Sequence, residues 1–263
     1  MKKVGVNDAE LAYRDEGAGP PIIFLHAFPL NQSMWDDQRP ALASNYRVIT
    51  FDWRGFGESS LGGGTSTMGV FADDLAGLMN ELGIDRATIC GLSMGGYAAF
   101  AFYRKYAARV AALVLANTRS NADTEDGRRR RYEMVEVARQ SGLSALADKM
   151  IPKLLAPITS KTKPQIVRWV RSMIEGNQAE GIARALIGMA ERPDSTALLL
   201  EINCPTLVLV GSEDGLAPPS EAEKMGRLIP DARLEAIQGA GHLSNLERVD
   251  DFNRALVDFL ERS

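Results

Sequence analysis

Gly91-Leu92-Ser93-Met94-Gly95 follows directly on the apolar run Ala87–Cys90 and leads directly into a helix-patterned stretch from Gly96 to Tyr106. A serine set between glycines at the junction of a buried strand and a helix implies a turn so tight that side chains on either side of it would collide. The serine hydroxyl is then thrown out into open space. Small residues at Gly95, Gly96 and Ala98 let the following helix lie close to the sheet, so that its N-terminal amides and dipole face the same spot. Ser93 is therefore a candidate nucleophile, in a chain built from strands that hand over to helices.

A serine hydroxyl attacks only when a base takes its proton, and the chain has two histidines, His26 and His242. His26 closes the apolar run Pro21–Leu25, and His242 lies in Gly239-Ala240-Gly241-His242, just before the last helical pattern. An acid is needed to fix the tautomer of that base. Pro205–Gly211 reads as a buried strand ending in a glycine turn, and Glu213 and Asp214 follow it. Asp123, after the preceding strand pattern, is a further possible acid.

Strand patterns recur at Glu10–Tyr13, Ile22–Leu25, Tyr46–Phe51, Ala87–Cys90, Val110–Leu115, Thr206–Val210 and Arg233–Ile237. Helical patterns at about Ser33–Ala43, Met68–Leu82, Met94–Tyr106, Ser220–Leu228 and Val249–Glu261 separate most of them, which specifies an α/β chain with a largely parallel sheet. From Arg119 to about Thr196 the alternation stops and only helical patterns remain. The chain thus divides into a core of residues 1–118 and 197–263, and a helical cap of residues 119–196 inserted in it. Catalytic groups of open α/β sheets lie at the carboxyl ends of the strands, where this insertion also emerges, so the cap is expected to close over Ser93. Its apolar residues Met150, Leu154, Trp169, Met173 and Met189 are the expected pocket lining. The run Arg128–Arg131 is expected to be a solvated helix start.

These residues together resemble the α/β-hydrolase superfamily, over nearly the whole chain. His26-Ala27-Phe28-Pro29 resembles its oxyanion loop, Asp52-Trp53-Arg54-Gly55-Phe56-Gly57-Glu58-Ser59 resembles its D-x-R-G-x-G-x-S turn, and Ser93, Asp214 and His242 fill its nucleophile, acid and base positions in the chain order that the family keeps. His26–Leu30, Gly91–Tyr97 and Ala190–Thr196 look more narrowly like small bacterial carboxylesterases and 3-oxoadipate enol-lactonase-like hydrolases. The resemblance implies an α/β-hydrolase fold and a catalytic triad of Ser93, Asp214 and His242. It also implies an oxyanion hole of the Phe28 and Met94 amides, since Pro29 has no N–H to offer. His26 then holds its loop through hydrogen bonds, and Asp52 and Arg54 brace their turn as a charged pair. Ala27 replaces the family's usual glycine, which is compatible with a donor role for the next amide if Ala27 keeps a negative φ. A serine at the nucleophile position separates the chain from the dehalogenase and epoxide hydrolase branches, which use aspartate.

The expected activity is hydrolysis of short-chain, uncharged carboxylic esters through an acyl-enzyme, with no metal or organic cofactor. A lactonase acting on a carboxylate-bearing substrate would need a cationic anchor, for which Arg168, Arg171, Arg184 and Arg192 are candidates. A cofactor-free haloperoxidase or perhydrolase would use the same triad, and a non-catalytic ligand-binding member of the fold is the remote alternative. Composition fits one globular unit of 263 residues, 45% hydrophobic and 24% charged. A net charge of −4 argues against a nucleic-acid partner. No apolar run reaches the roughly twenty residues of a membrane span, and the opening Met1-Lys2-Lys3-Val4 lacks an apolar signal region, so a cytoplasmic monomer or homodimer is expected. Cys90 and Cys204 border core strands and read as small buried hydrophobes rather than metal ligands or a disulfide.

Overall fold

The computed structural model of the protein describes residues 1–262. Eight strands form one sheet: β1 Lys2–Val6, β2 Ala9–Glu16, β3 Pro21–Leu25, β4 Arg47–Phe51, β5 Ala87–Leu92, β6 Val110–Ala116, β7 Thr206–Gly211 and β8 Ala232–Ile237. Their spatial order is β1-β2-β4-β3-β5-β6-β7-β8. From β4 through β8 every pairing is parallel, while β1–β2 and β2–β4 are antiparallel. The seven expected strands all form, and β1 is the addition. Its sequence, Lys-Lys-Val-Gly-Val, has only Val4 and Val6 in apolar alternation, too short a pattern to announce it, and is mostly exposed, as suits an edge strand whose lysines discourage pairing with other chains.

The central strands are apolar along their whole length because helices cover both faces of a parallel sheet: Ile22–Leu25, Val48–Phe51 and Thr206–Gly211 are buried residue after residue. Over them lie α1 Gln38–Leu42, α2 Met68–Glu81 and α3 Met94–Tyr106. The pattern at Ser33–Ala43 does not form one helix. It splits into a short turn at Gln32–Trp35 and α1, whose first turn holds Pro40: in one continuous helix Pro40 would have no N–H to give and its ring would meet the carbonyl four residues back.

After β6 the chain leaves the sheet and forms α4 Glu125–Glu136, α5 Gly142–Leu154, α6 Pro157–Thr162, α7 Pro164–Glu175 and α8 Ala179–Ala190. Ser195 donates its amide to Ser120 O over 2.8 Å, so the start and the end of this helical insertion meet. The chain then completes the sheet with β7, α9 Pro219–Leu228, β8, α10 Ser244–Glu247 and α11 Val249–Leu260. Among the described residues no helix is long and apolar enough to cross a membrane.

Candidate active site

β5 ends on Leu92 and α3 begins on Met94, leaving Ser93 alone to reverse the chain. Ser93 does so at φ +57° and ψ −111°, a region that costs a non-glycine residue about 1–3 kcal/mol. The surroundings enforce it. Its amide donates to Ala116 O over 3.0 Å, and its carbonyl accepts from Thr118 Oγ1 over 2.9 Å. Glycine is required on both sides by contact: a Cβ on Gly91 would stand 2.4 Å from Gly95 O, and one on Gly95 would stand 2.1 Å from Leu25 O.

Ser93 Oγ lies 2.8 Å from His242 Nε2, and His242 Nδ1 lies 2.8 Å from Asp214 Oδ2. His242 and Asp214 are each 3% exposed, and of the three Ser93 and His242 line the cavity while Asp214 lies behind them. Asp214 Oδ1 accepts the amides of Leu216 and Ala217 at 2.8 and 3.0 Å, and Oδ2 also accepts the Asn117 side-chain amide at 2.9 Å. Burial alone would raise the Asp214 pKa, but the facing His242 imidazole and these donors outweigh it and hold the carboxyl below its ordinary value. Glu213 is exposed.

Asp123 is engaged elsewhere. Arg119, Arg131 and Arg192 all converge on it, and although burial opposes ionisation the Arg131 and Arg192 contacts hold it well below the usual carboxylate range. Arg131 therefore leaves the basic run and turns inward, against the expectation of a wholly solvated helix start, because a buried carboxylate with an open flank attracts it.

His26 is fully buried and makes two bonds that only its neutral Nδ1–H tautomer can satisfy: Nδ1 donates to Ala27 O at 3.1 Å, and Nε2 accepts the Trp53 amide at 3.1 Å. Burial drives its pKa down to about 3, with the Ala27 carbonyl opposing. His26 thus braces the loop that carries Phe28. Ala27 is not among the residues at positive φ, and neither the Phe28 nor the Met94 amide has a protein acceptor among the described residues. Two free amides beside a candidate nucleophile are what a developing oxyanion would need.

Asp52 and Arg54 do not pair. Asp52 accepts the backbone and side-chain amides of Gln32 and the Glu58 amide, whereas Arg54 makes a two-pronged bond to Asp74 on α2 at 2.6 and 2.7 Å. Trp53 intervenes in a tight turn, and the two side chains leave it toward different elements.

A cavity of about 510 Å³ opens above Ser93, with Phe28, His242, Met150, Leu154 and Met189 in its wall. Trp169 and Met173, expected beside them, stand outside it. Both lie on α7, which packs against α5, and it is α5 that supplies Met150 and Leu154 to the cavity wall. Trp169 instead lines a surface groove with Lys163 and Arg248, and the Met173 carbonyl holds Asn177. Of the four expected anchors, Arg171 pairs with Asp148 and Glu175, Arg184 with Glu180, and Arg192 with Asp123, while Arg168 is exposed on α7. The cations that do line the cavity are Arg119, Arg130, Arg131 and Lys153. Among the described residues no cluster of three His, Cys, Asp or Glu side chains is arranged to hold a metal ion.

Three residues that tie the site together carry no sequence signal of their own. Asn117, at φ +45°, grips Asp214. Glu247 accepts the amide of Gly241, next to His242, and that of Ala156 after α5, each at 2.9 Å. Asn177 reaches Pro29 O at 2.8 Å and accepts the Gly57 amide at 2.7 Å, joining the insertion to the Phe28 loop.

A family model of the alpha/beta hydrolase fold matches residues 20–249. The solved structure of a thermophilic esterase from Thermogutta terrifontis, described as malate bound, superposes with a TM-score of 0.97 at 43% identity and covers 100% of this chain and 99% of its own. A 3-oxoadipate enol-lactonase from Acinetobacter baylyi is 31% identical over 92% of this chain and 89% of its own length, and a non-heme haloperoxidase from Rhodococcus erythropolis is 31% identical over 96% of each. The chain belongs to the α/β-hydrolase family.

Proposed function

We propose that the protein is a serine carboxylesterase that cleaves short-chain carboxylic esters through an acyl-enzyme. The observation that carries this reading is the unbroken line from Asp214 through His242 to Ser93 Oγ, with both contacts at 2.8 Å. In it, Asp214 keeps the proton on His242 Nδ1, so Nε2 is free to take the Ser93 proton as Oγ attacks the ester carbonyl. The Phe28 and Met94 amides receive the oxyanion, and His242 returns its proton to the departing alkoxide. Water then attacks the acyl-enzyme by the same route and releases the acid. The 43% identical esterase supports ester hydrolysis over the other activities found among relatives.

A second reading has its own observation. Arg130 and Lys153 line the cavity, and neither has a hydrogen-bond or ion-pair partner among the described residues, so the mouth of the site is cationic on a chain whose net charge is −4. That favours an ester or lactone carrying a carboxylate, as the malate-bound esterase and the enol-lactonase relative also suggest.

The experiment compares p-nitrophenyl butyrate with mono-p-nitrophenyl succinate in the wild type, Ser93→Ala and Lys153→Ala. Loss of both activities in Ser93→Ala supports the acyl-enzyme, and residual turnover near wild type overturns it. A selective drop on the succinate in Lys153→Ala supports the anionic substrate, and an equal response on both esters returns the assignment to uncharged ones.

A further inference from the structure

Behind Tyr97 and Arg119, which also line the Ser93 cavity, lies a second cavity of about 260 Å³. It is enclosed by the first turn of α2, the outer face of α3 and the end of α8 with the segment that follows it. Met68, Phe100 and Ala101 give it an apolar floor. Its polar wall is cationic, with Arg104, Lys105, Arg119 and Arg192 opposed within the cavity by Glu191 alone.

Two of these cations are already satisfied. Lys105 is held by Asp73 at 2.8 Å, and Arg192 is bonded to Met189 O, Asn121 O and Asp123 while it stacks 4.0 Å above the Tyr97 ring. The other two are less fully used, although Arg119 already bonds Asp123 and faces Tyr97. Arg119 Nε is buried without any partner, and Arg104 spends one N–H on Ser195 Oγ at 2.9 Å. Arg104 is exposed and keeps N–H groups free, and a carboxylate, with two acceptor oxygens, is the group that suits neighbouring guanidinium donors.

We propose that this cavity is a binding site for a small carboxylate with a short apolar tail, its head between Arg104 and Arg119 and its tail on Met68, Phe100 and Ala101. The ligand class rests on the cavity alone; its identity with the acid released at Ser93 rests on the ester-hydrolase reading. Because Arg119 also bonds Asp123 at 2.6 Å and faces the first cavity, a ligand that engages it acts on the Ser93 site without occupying it.

The test uses sodium butyrate as the probe. Ser93 is first capped with a diethyl phosphate group, verified by mass, and butyrate is titrated by calorimetry into the capped protein, into capped Arg104→Gln and into capped Ala101→Leu, which fills the apolar floor. The expected result is one equivalent bound by the capped wild type and at least a tenfold weaker association in both variants, with inorganic phosphate binding more weakly than butyrate. In uncapped protein, butyrate inhibits p-nitrophenyl butyrate turnover with a non-competitive component that Arg104→Gln lacks, while turnover without butyrate stays within twofold of wild type. No binding to the capped protein, or binding unchanged in both variants, overturns the proposal; phosphate binding as tightly as butyrate overturns the carboxylate class. If the cap does not attach, the Ser93 reading fails, and the titration of uncapped wild type against Arg104→Gln still decides the second site.

Discussion

Asn117 donates its side-chain amide to Asp214 Oδ2 over 2.9 Å, from a buried left-handed backbone at the end of β6. Its own Oδ1 is held by the Ser244 hydroxyl at 2.5 Å, so the amide is fixed from both ends and the carboxylate cannot rotate away from His242. Asn117→Gly keeps the backbone and removes the amide. A hydrogen bond to a charged group contributes about 1.5–3 kcal/mol, so kcat on p-nitrophenyl butyrate is expected to fall roughly ten- to hundredfold with KM little changed. An unchanged kcat would show that the two backbone amides position Asp214 without help.

The strain at Ser93 predicts a stability difference between two inactive variants. Ser93→Ala keeps a Cβ at φ +57°, whereas Ser93→Gly does not. Both are expected to lose on the order of a millionfold in turnover, by analogy with serine-protease triads. The glycine variant should nevertheless resist urea better than the alanine variant by about 1 kcal/mol. Equal unfolding midpoints would mean that the turn costs the fold nothing.

His26 makes stability depend on pH. Its pKa is about 3 in the folded protein and 6.5 when free of it, so below pH 6.5 the unfolded chain binds the proton that the folded chain refuses. Stability therefore falls as pH drops through the window from 6.5 to 3, by roughly 1.4 kcal/mol per pH unit from this group. Above 6.5 the effect is fully absent. Urea unfolding at pH 7 and pH 5 should show a steeper loss for wild type than for His26→Asn, and parallel losses would assign the slope to other groups.

The Arg54 guanidinium, 3% exposed, meets the fully buried Asp74 carboxylate. Removing the acid strands a buried charge, so Asp74→Ala should cost about 3–5 kcal/mol in denaturant unfolding. Asp8, which also touches Arg54 but from solvent, should be nearly silent when replaced. A mild Asp74→Ala would mean that Arg54 swings out to water.

Glu247 holds the loop before His242 and the residue after Leu155 with one carboxylate. Glu247→Gln turns one acceptor oxygen into a donor facing an amide. The expected outcome is about a tenfold loss in kcat on p-nitrophenyl butyrate while circular dichroism stays unchanged, and full activity would show that Gly241 needs no holding.

The parallel strands and α3 were legible because an apolar run bounded by glycine turns has few other ways to be buried. Arg54's partner was less so. Asp74 sits on the same inward face of α2 as Phe71, Leu75 and Leu78, and an acid in that stripe signals a buried cation without saying which one. Trp169 and Met173 show the converse limit, since the apolar stripe of α7 marks a buried face but not whether the neighbour is a ligand cavity or another helix. Asn117 and Asn177 belong to no periodic pattern, and their roles exist only once distant segments meet.

Ser120 and Ser195, joined by one hydrogen bond, make the helical insertion a detour that returns to its point of departure. The entropy of closing such a detour grows only with the logarithm of its length. Its length can vary at small entropic cost wherever it is free of the core, whereas Ala156 and Asn177 tie it to the His242 and Phe28 loops. The insertion is therefore fastened at its neck and again along its length, and a change in its helices is felt by the loops beside Ser93 and His242 through those ties.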